Sequence, residues 1–303
     1  MKRILGMGEL LWDMLPTGPQ LGGAPANYSV MAARLGNEAT ILSRVGEDAL
    51  GEQTLALLRR FPVNARLVQR DSAHETGRVT VELADGQPSY VIHAPAAWDF
   101  LAETPEWVEA AHQAEAICFG SLAQRNAVSR ATILAIVRAT PERCERIFDV
   151  NLREPFYGAE VLHASLGLAS VVKMNDAEVP RVMELLGLSA GDSAEPLRAA
   201  AGALLSAYPE LRLVAVTCGG EGSLLVSRTD WHRHRGVSAR VVDTIGAGDA
   251  FTAAMTHYLL REAPLSVLNE AGNRWGGYIA SQAGAMPPIP DETIARLRRE
   301  IED

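Results

Sequence analysis

Short apolar runs alternate with helix-like stretches along most of this chain, and that alternation limits the fold more than any other feature of the sequence. Ile4–Gly8, Ala39–Arg44, Arg66–Arg70, Ala116–Phe119, Arg146–Val150, Ala169–Lys173 and Leu213–Thr217 read as strands. Between them, Pro25–Leu35, Leu50–Arg60, Ala127–Ala139, Val161–Leu166, Ala177–Leu186 and Leu197–Tyr208 read as helices. Strand–helix alternation predicts an α/β fold with a mostly parallel central sheet flanked by helices. One hairpin interrupts the pattern: Gly77–Leu83 and Ser89–His93 flank the turn dipeptide Asp85-Gly86. It is either a small second sheet covering a site as a lid or an extension of the main sheet's edge. Leu224–Ser227 and Trp231–Arg235 read as a late hairpin, and helices are expected over 247–261 and 264–282.

The last of these junctions carries the chemistry. Residues 243–251 read Asp-Thr-Ile-Gly-Ala-Gly-Asp-Ala-Phe and open a helix. Gly246 and Gly248 let backbone N–H groups converge on an anion with no Cβ in the way. A helix N-terminus adds orphan donors and a favourable dipole. Asp249 then places a carboxylate inside the anion cradle. That suits a phosphoryl group in transit, with the carboxylate taking a proton from its acceptor. The plainer reading is a strand-to-helix turn with an acid in the first turn.

Composition narrows the classes. A net charge of −9 argues against a nucleic-acid surface. Cys118, Cys144 and Cys218 are scattered, with neither a disulfide framework nor a Cys-x-x-Cys pair, which suits a reducing cytoplasm. The start lacks the apolar core of a signal peptide, and no apolar run is long enough for a membrane span, so a cytoplasmic protein without membrane partners is expected.

Other short segments offer ligand chemistry. Gly22-Gly23-Ala24-Pro25-Ala26-Asn27 precedes a helix, and Asn27 would present a free donor and acceptor of the kind a sugar hydroxyl needs. Asp13 lies just past the first strand, where α/β proteins bind ligands, and can accept from adjacent hydroxyls. Asn175 and Glu178 have the spacing of a capping box. Thr217-Cys218-Gly219-Gly220-Glu221-Gly222 is a glycine turn after a strand, and Arg153, in Asp149-Val150-Asn151-Leu152-Arg153, could pair with a phosphate.

The 243–251 segment resembles the second signature of the PfkB or ribokinase family of carbohydrate kinases, and Gly-Gly-x-x-x-Asn resembles the first. The likeness runs from Gly8 to about Pro290, and Glu9-Leu10-Leu11-Trp12-Asp13 is most similar to the bacterial fructokinase branch. The resemblance implies one ribokinase-like domain over 1–303 with a β lid from insertions at about 10–20 and 66–98. It implies ATP as co-substrate, Asp249 as base, and Gly246, Ala247 and Gly248 as anion hole. Asp13, Gly22, Gly23, Asn27 and Arg153 would hold the sugar. Asn175, Glu178, Thr217, Gly219, Gly222 and Asn273 would serve the nucleotide, with Glu178 acting on Mg²⁺ through water. Asp243, Ile245, Ile279 and Gly284 map onto a K⁺ loop. Gly120–Arg125 and Ala97–Phe100 would be pocket walls, and a homodimer through the lid is expected. Fructose is the first substrate candidate, ahead of 2-keto-3-deoxygluconate and then ribose or a nucleoside.

Two rivals fail on residues. Gly6-Met7-Gly8 lacks the third glycine of a dinucleotide fingerprint, and no Gly-x-x-x-x-Gly-Lys-Ser/Thr loop occurs. A non-catalytic sugar or nucleotide sensor is the remaining non-enzyme reading. Asp249 speaks against it, because a sensor has no use for a base.

Overall fold

The computed structural model describes residues 1–15, 18–84, 87–191 and 193–302. In chain order its strands and helices are β1 (Arg3–Met7), β2 (Leu11–Leu15), β3 (Gly18–Gly22), α1 (Ala24–Arg34), β4 (Glu38–Leu42), β5 (Arg44–Gly46), α2 (Ala49–Leu58), β6 (Gln69–Asp71), β7 (Gly77–Ala84) and β8 (Gln87–Ile92). There follow α3 (Pro105–His112), β9 (Ala116–Gly120), α4 (Ala127–Ala139), β10 (Glu145–Asp149), α5 (Ala159–Leu166), β11 (Val171–Asn175), α6 (Glu178–Leu185) and α7 (Pro196–Ala207). The chain closes with β12 (Leu213–Thr217), β13 (Ser223–Ser227), β14 (Trp231–His234), α8 (Ala247–Leu259), α9 (Leu265–Ala280) and α10 (Asp291–Glu302).

The main sheet has eight strands in the order β14-β13-β12-β11-β10-β9-β1-β4. The six from β12 to β4 are parallel, and the late hairpin adds β13 and β14 antiparallel at one edge. Both faces are buried. Ile117, Phe119, Phe148 and Val172 pack against α3–α7, while Ala116, Cys118, Ile147 and Val171 pack against α1, α8, α9 and α10. This period-2 division puts Asp149 and Lys173, in step with Ile147 and Val171, on the face covered by α8. From β1 the chain goes to β4 on one side and later to β9 on the other. The crevice between β1 and β9 is therefore the switch point where open α/β sheets bind ligands.

A separate four-stranded sheet has the order β3-β2-β7-β8. A cluster of Leu10, Trp12, Leu21, Val30, Ile41 and Leu58 joins it to α1 and α2. The Trp12 indole N–H reaches the Thr54 hydroxyl at 2.8 Å and so satisfies its polar tip.

Several boundaries differ from expectation. The segment 39–44 is two strands, β4 in the main sheet and β5 paired with β6 in a two-stranded sheet; Ser43 between them donates its hydroxyl to the Gly8 carbonyl at 2.6 Å. Residues 66–70 contribute only β6. The strand expected at 169–173 is shifted to Val171–Asn175. Asp13 follows β1 as expected and lies within β2, a strand not anticipated, paired to β3 and to β7 some 65 residues on. The 77–93 hairpin pairs as expected, while its Asp85-Gly86 turn lies outside the described residues. Helices α3 and α10 were not anticipated.

Candidate active site

Helix α8 is built to end at the sheet. Its small inward residues, Ala250, Ala253 and Ala254, are buried, so it lies close against β9–β11. Gly246 caps it in the left-handed region (φ +78°), and a Cβ there would come within 2.7 Å of the Ala285 side chain. Glycine is required on both counts. The first-turn amides of Gly248 and Asp249 precede any intrahelical acceptor, so they face outward as donors.

Asp249 stands in that first turn and lines a narrow cleft together with Glu9, Tyr28, Phe119, Ser121, Asp149 and Asn151. These residues come from the C-terminal ends of β1, β9 and β10, the switch point, and from α1. Burial, and after it the Asp149 charge, pushes the Asp249 carboxyl up to about 6, opposed by the Asn27 hydrogen bond and by Lys173 and Arg153. Glu9 shares the cleft; burial raises it to about 7, although its carboxylate accepts the Ala24 N–H at 3.2 Å.

Asp13, Gly22, Gly23 and Asn27 converge. A Cβ on Gly22 would lie 2.6 Å from Asp13 Oδ2, and one on Gly23 (φ +111°) would collide with the Glu9 carbonyl. Burial raises the Asp13 carboxyl and Arg153 opposes it. Asn27 is not free as expected. Its Nδ2 donates to Asp249 Oδ2 at 2.8 Å, and its Oδ1 is buried without a partner among the described residues. An orphaned acceptor beside the Asp249 carboxylate suits a hydroxyl donor. Arg153 is exposed and, among the described residues, donates only to the Leu152 carbonyl. Arg125, the other cation considered for the pocket, is committed elsewhere. It grips Asp99 with two 2.7 Å bonds and stacks on Trp98 at 3.9 Å.

Asn175 and Glu178 form the reciprocal capping box: Asn175 Oδ1 accepts the Glu178 N–H at 2.9 Å, and Glu178 Oε2 accepts the Asn175 N–H at 2.8 Å. Glu178 Oε1 also accepts the Leu152 N–H at 2.7 Å, tying the end of β11 to the loop that carries Arg153. Thr217, Gly219 (φ +53°) and Gly222 (φ +86°) form the turn between β12 and β13, where a Cβ on Gly222 would strike the His234 carbonyl. Asn273 turns its amide inward to Ser223 Oγ (2.6 Å) and to the Asn269 carbonyl (2.8 Å). Asp243 accepts the N–H groups of Ile245 (3.0 Å) and Gly284 (3.1 Å), and Ile279 is buried next to Ala280, whose carbonyl takes the Val242 and Asp243 N–H groups. The four residues of the expected cation loop are thus brought together. Asp149 and Lys173, both buried against α8, were missed as individual residues.

A model described as pfkB family carbohydrate kinase matches residues 17–292. A fructokinase of Escherichia coli is 29% identical over 317 residues, covering 98% of this chain and 97% of its own. A sugar kinase of Pyrococcus horikoshii solved in complex with ATP is 27% identical, with a TM-score of 0.81 over 98% of this chain and 99% of that one. A Vibrio cholerae fructokinase solved with fructose, ADP and calcium is 26% identical, with a TM-score of 0.78 over 98% of this chain and 99% of that one. The chain belongs to the PfkB family of carbohydrate kinases, with the ribokinase-like fold. It is an ATP-dependent sugar kinase, a phosphotransferase whose acceptor is an alcohol group.

Proposed function

We propose that this kinase phosphorylates fructose to fructose 6-phosphate, with Asp249 as general base. The observation that carries the mechanism is Asp249 at the N-terminus of α8, hydrogen-bonded by Asn27 and set in the switch-point cleft. Support for fructose comes from the relatives named fructokinase, at 25–29% identity. In this reading Asp13, Gly22, Gly23, Asn27 and Arg153 hold the sugar, and Asp249 takes the proton of the attacking hydroxyl. The amides of Gly246, Ala247 and Gly248 meet the charge on the moving phosphoryl group. The nucleotide lies along Asn175, Thr217, Gly219, Gly222 and Asn273. The β2–β3–β7–β8 sheet, from about 10–20 and 66–98 within a single 1–303 domain, closes as a lid that excludes water as a competing acceptor.

The residues present fit the two cations. Glu178 already spends one lone pair of each oxygen on a backbone N–H, which suits Mg²⁺ held through water rather than directly. The Asp243–Gly284 loop, with Ile245 and Ile279, would hold K⁺ beside the anion hole. Mg²⁺ supplies charge neutralisation to the phosphates. A homodimer through the lid and a cytoplasmic location complete the proposal.

A second reading, 2-keto-3-deoxygluconate kinase, is favoured by Arg153. It is the exposed cation acting on Glu9, Asp13 and Asp249, and a sugar acid would give it a partner. A coupled ADP-release assay over fructose, 2-keto-3-deoxygluconate, ribose and a nucleoside, with and without K⁺, decides. Fructose should give the highest kcat/KM; turnover confined to the acid sugar would replace the first reading by the second.

A further inference from the structure

Of the 28 basic residues in this chain only two are lysines, Lys2 and Lys173. Arginine serves at almost every other cationic position, so a lysine in a buried strand calls for a physical reason. Lys173 lies on β11 beneath the first turn of α8, and a Cβ on Gly248 would sit 3.0 Å from its Nζ. A compact ammonium fits under that turn, whereas a planar guanidinium would be driven into it. The ammonium donates to both oxygens of Asp149 on the neighbouring strand, each at 3.2 Å. The Thr252 hydroxyl, on α8 itself, lies 3.1 Å from Asp149 Oδ2 and 2.9 Å from the Gly248 carbonyl. Strand, strand and helix are therefore joined by one buried ion pair directly under the anion cradle.

We propose that the Lys173–Asp149 pair is a positioning device for Asp249: it fixes the first turn of α8 against the sheet, and its two opposite charges set how readily Asp249 ionises. The proposal rests on the reading of Asp249 as the base. Lys173 favours the ionised carboxylate and Asp149 opposes it, so the pair holds Asp249 between a permanently charged acid and a permanently neutral one. Burial works against the Lys173 ammonium, but Asp149 and then Asp249 outweigh it and raise its proton affinity. The other groups facing Asp249 are Glu9 after β1, Arg153 after β10, Asn27 on α1 and Cys118 on β9, whose thiol burial keeps neutral.

The two charges make the test sign-specific. Lys173→Met leaves Asp149 unopposed, so the acidic limb of the kcat/KM profile should move up by about one pH unit. Asp149→Asn should move it down by about as much, and the double variant, with no unpaired buried charge, should fall between them. Lys173→Arg should not restore the wild-type profile. Shifts of the singles in the same direction, or no shift in folded variants, overturn the proposal.

A measurement on the unmodified enzyme decides even if the single variants fail to fold. Lysine-selective ¹³C,¹⁵N labelling gives two side-chain signals, and that of Lys173 should show an inflection at the pH of the acidic limb. The inflection should vanish in Asp249→Asn. A Lys173 signal that is flat across that range overturns the coupling. Full activity in Asp249→Asn would instead overturn the assignment of the base, so the two failures are distinguishable.

Discussion

Asn27 and Asp249 are 222 positions apart in the sequence, yet Asn27 Nδ2 lies 2.8 Å from Asp249 Oδ2. The contact joins the two glycine-rich helix starts, α1 and α8, at the cleft. It gives Asn27 two tasks. In the proposed mechanism one end of its amide orients and stabilises the ionised base, while the buried Oδ1, without a partner among the described residues, is open to a substrate hydroxyl. A donor that is free by sequence is spent by tertiary structure on the Asp249 carboxylate.

Asn27→Ala should therefore affect both binding and chemistry. Losing the donor raises the proton affinity of Asp249, and losing the acceptor weakens sugar binding. The expected result is a higher KM for sugar, a kcat/KM lower by about 10- to 100-fold, and an acidic limb moved to higher pH. Steady-state kinetics across pH check all three.

The wild-type profile should fall on the acid side. In the proposed mechanism Asp249 works ionised, so kcat/KM is lost as protons bind. Asp249 is raised to about 6 and Glu9, lining the same cleft, to about 7. The two titrate as a pair, and the limb should lie between those values. Glu9→Gln should reduce it to a single-proton limb near the lower value.

Asp249→Asn should abolish phosphoryl transfer, with kcat reduced by about 10³-fold or more, while sugar binding persists. It should also gain stability. The folded-state pKa of Asp249 is raised from 3.8 to about 6, so the stability its proton contributes is full in acid and is lost as pH rises through that window. A neutral Asn escapes that loss. Urea unfolding at about pH 7.5 should show the variant more stable by about 1–2 kcal/mol, and the difference should shrink toward about pH 4.

Glu178→Gln should destabilise the protein. Both Glu178 oxygens accept backbone N–H groups, from Leu152 and Asn175, and a Gln turns an amide donor toward one of them. A cost of about 1–3 kcal/mol is expected in chemical denaturation, together with a higher Mg²⁺ requirement in the assay.

Gly246→Ala should be costly through two effects, the positive φ of 78° and the 2.7 Å approach to Ala285. A loss of about 1–3 kcal/mol in unfolding free energy is expected. A wild-type-like melting temperature would mean that the turn can relax without cost.

Much of this architecture was legible because it is local. The 127–139 helix matches its sequence limits, with Asn126 as its cap accepting the Val128 N–H. Strands β7 and β8 pair as the hairpin expected there. The strand that carries Asp13 was not legible as a strand, because it pairs with β7, about 65 residues further on, and no local periodicity announces that pairing. Helix α3 was missed despite a readable signal, Thr104 capping Trp107 N with Pro105 at the first position. Lys173 could have been flagged in the same way, as a charge inside the apolar run Val171-Val172-Lys173-Met174.

The sequence by itself determined the α/β alternation, the helix that opens at Gly246 and the acid in its first turn, because turn, cap and periodicity act over a few residues. Tertiary structure alone decided what surrounds that acid. Asn27 reaches it across 222 positions, Asp149 and Lys173 lie beneath it on adjacent strands, and Glu9 shares its cleft. The proton affinity of a carboxylate depends on burial and on charges within a few ångströms, and distance in space is set by packing rather than by position along the chain.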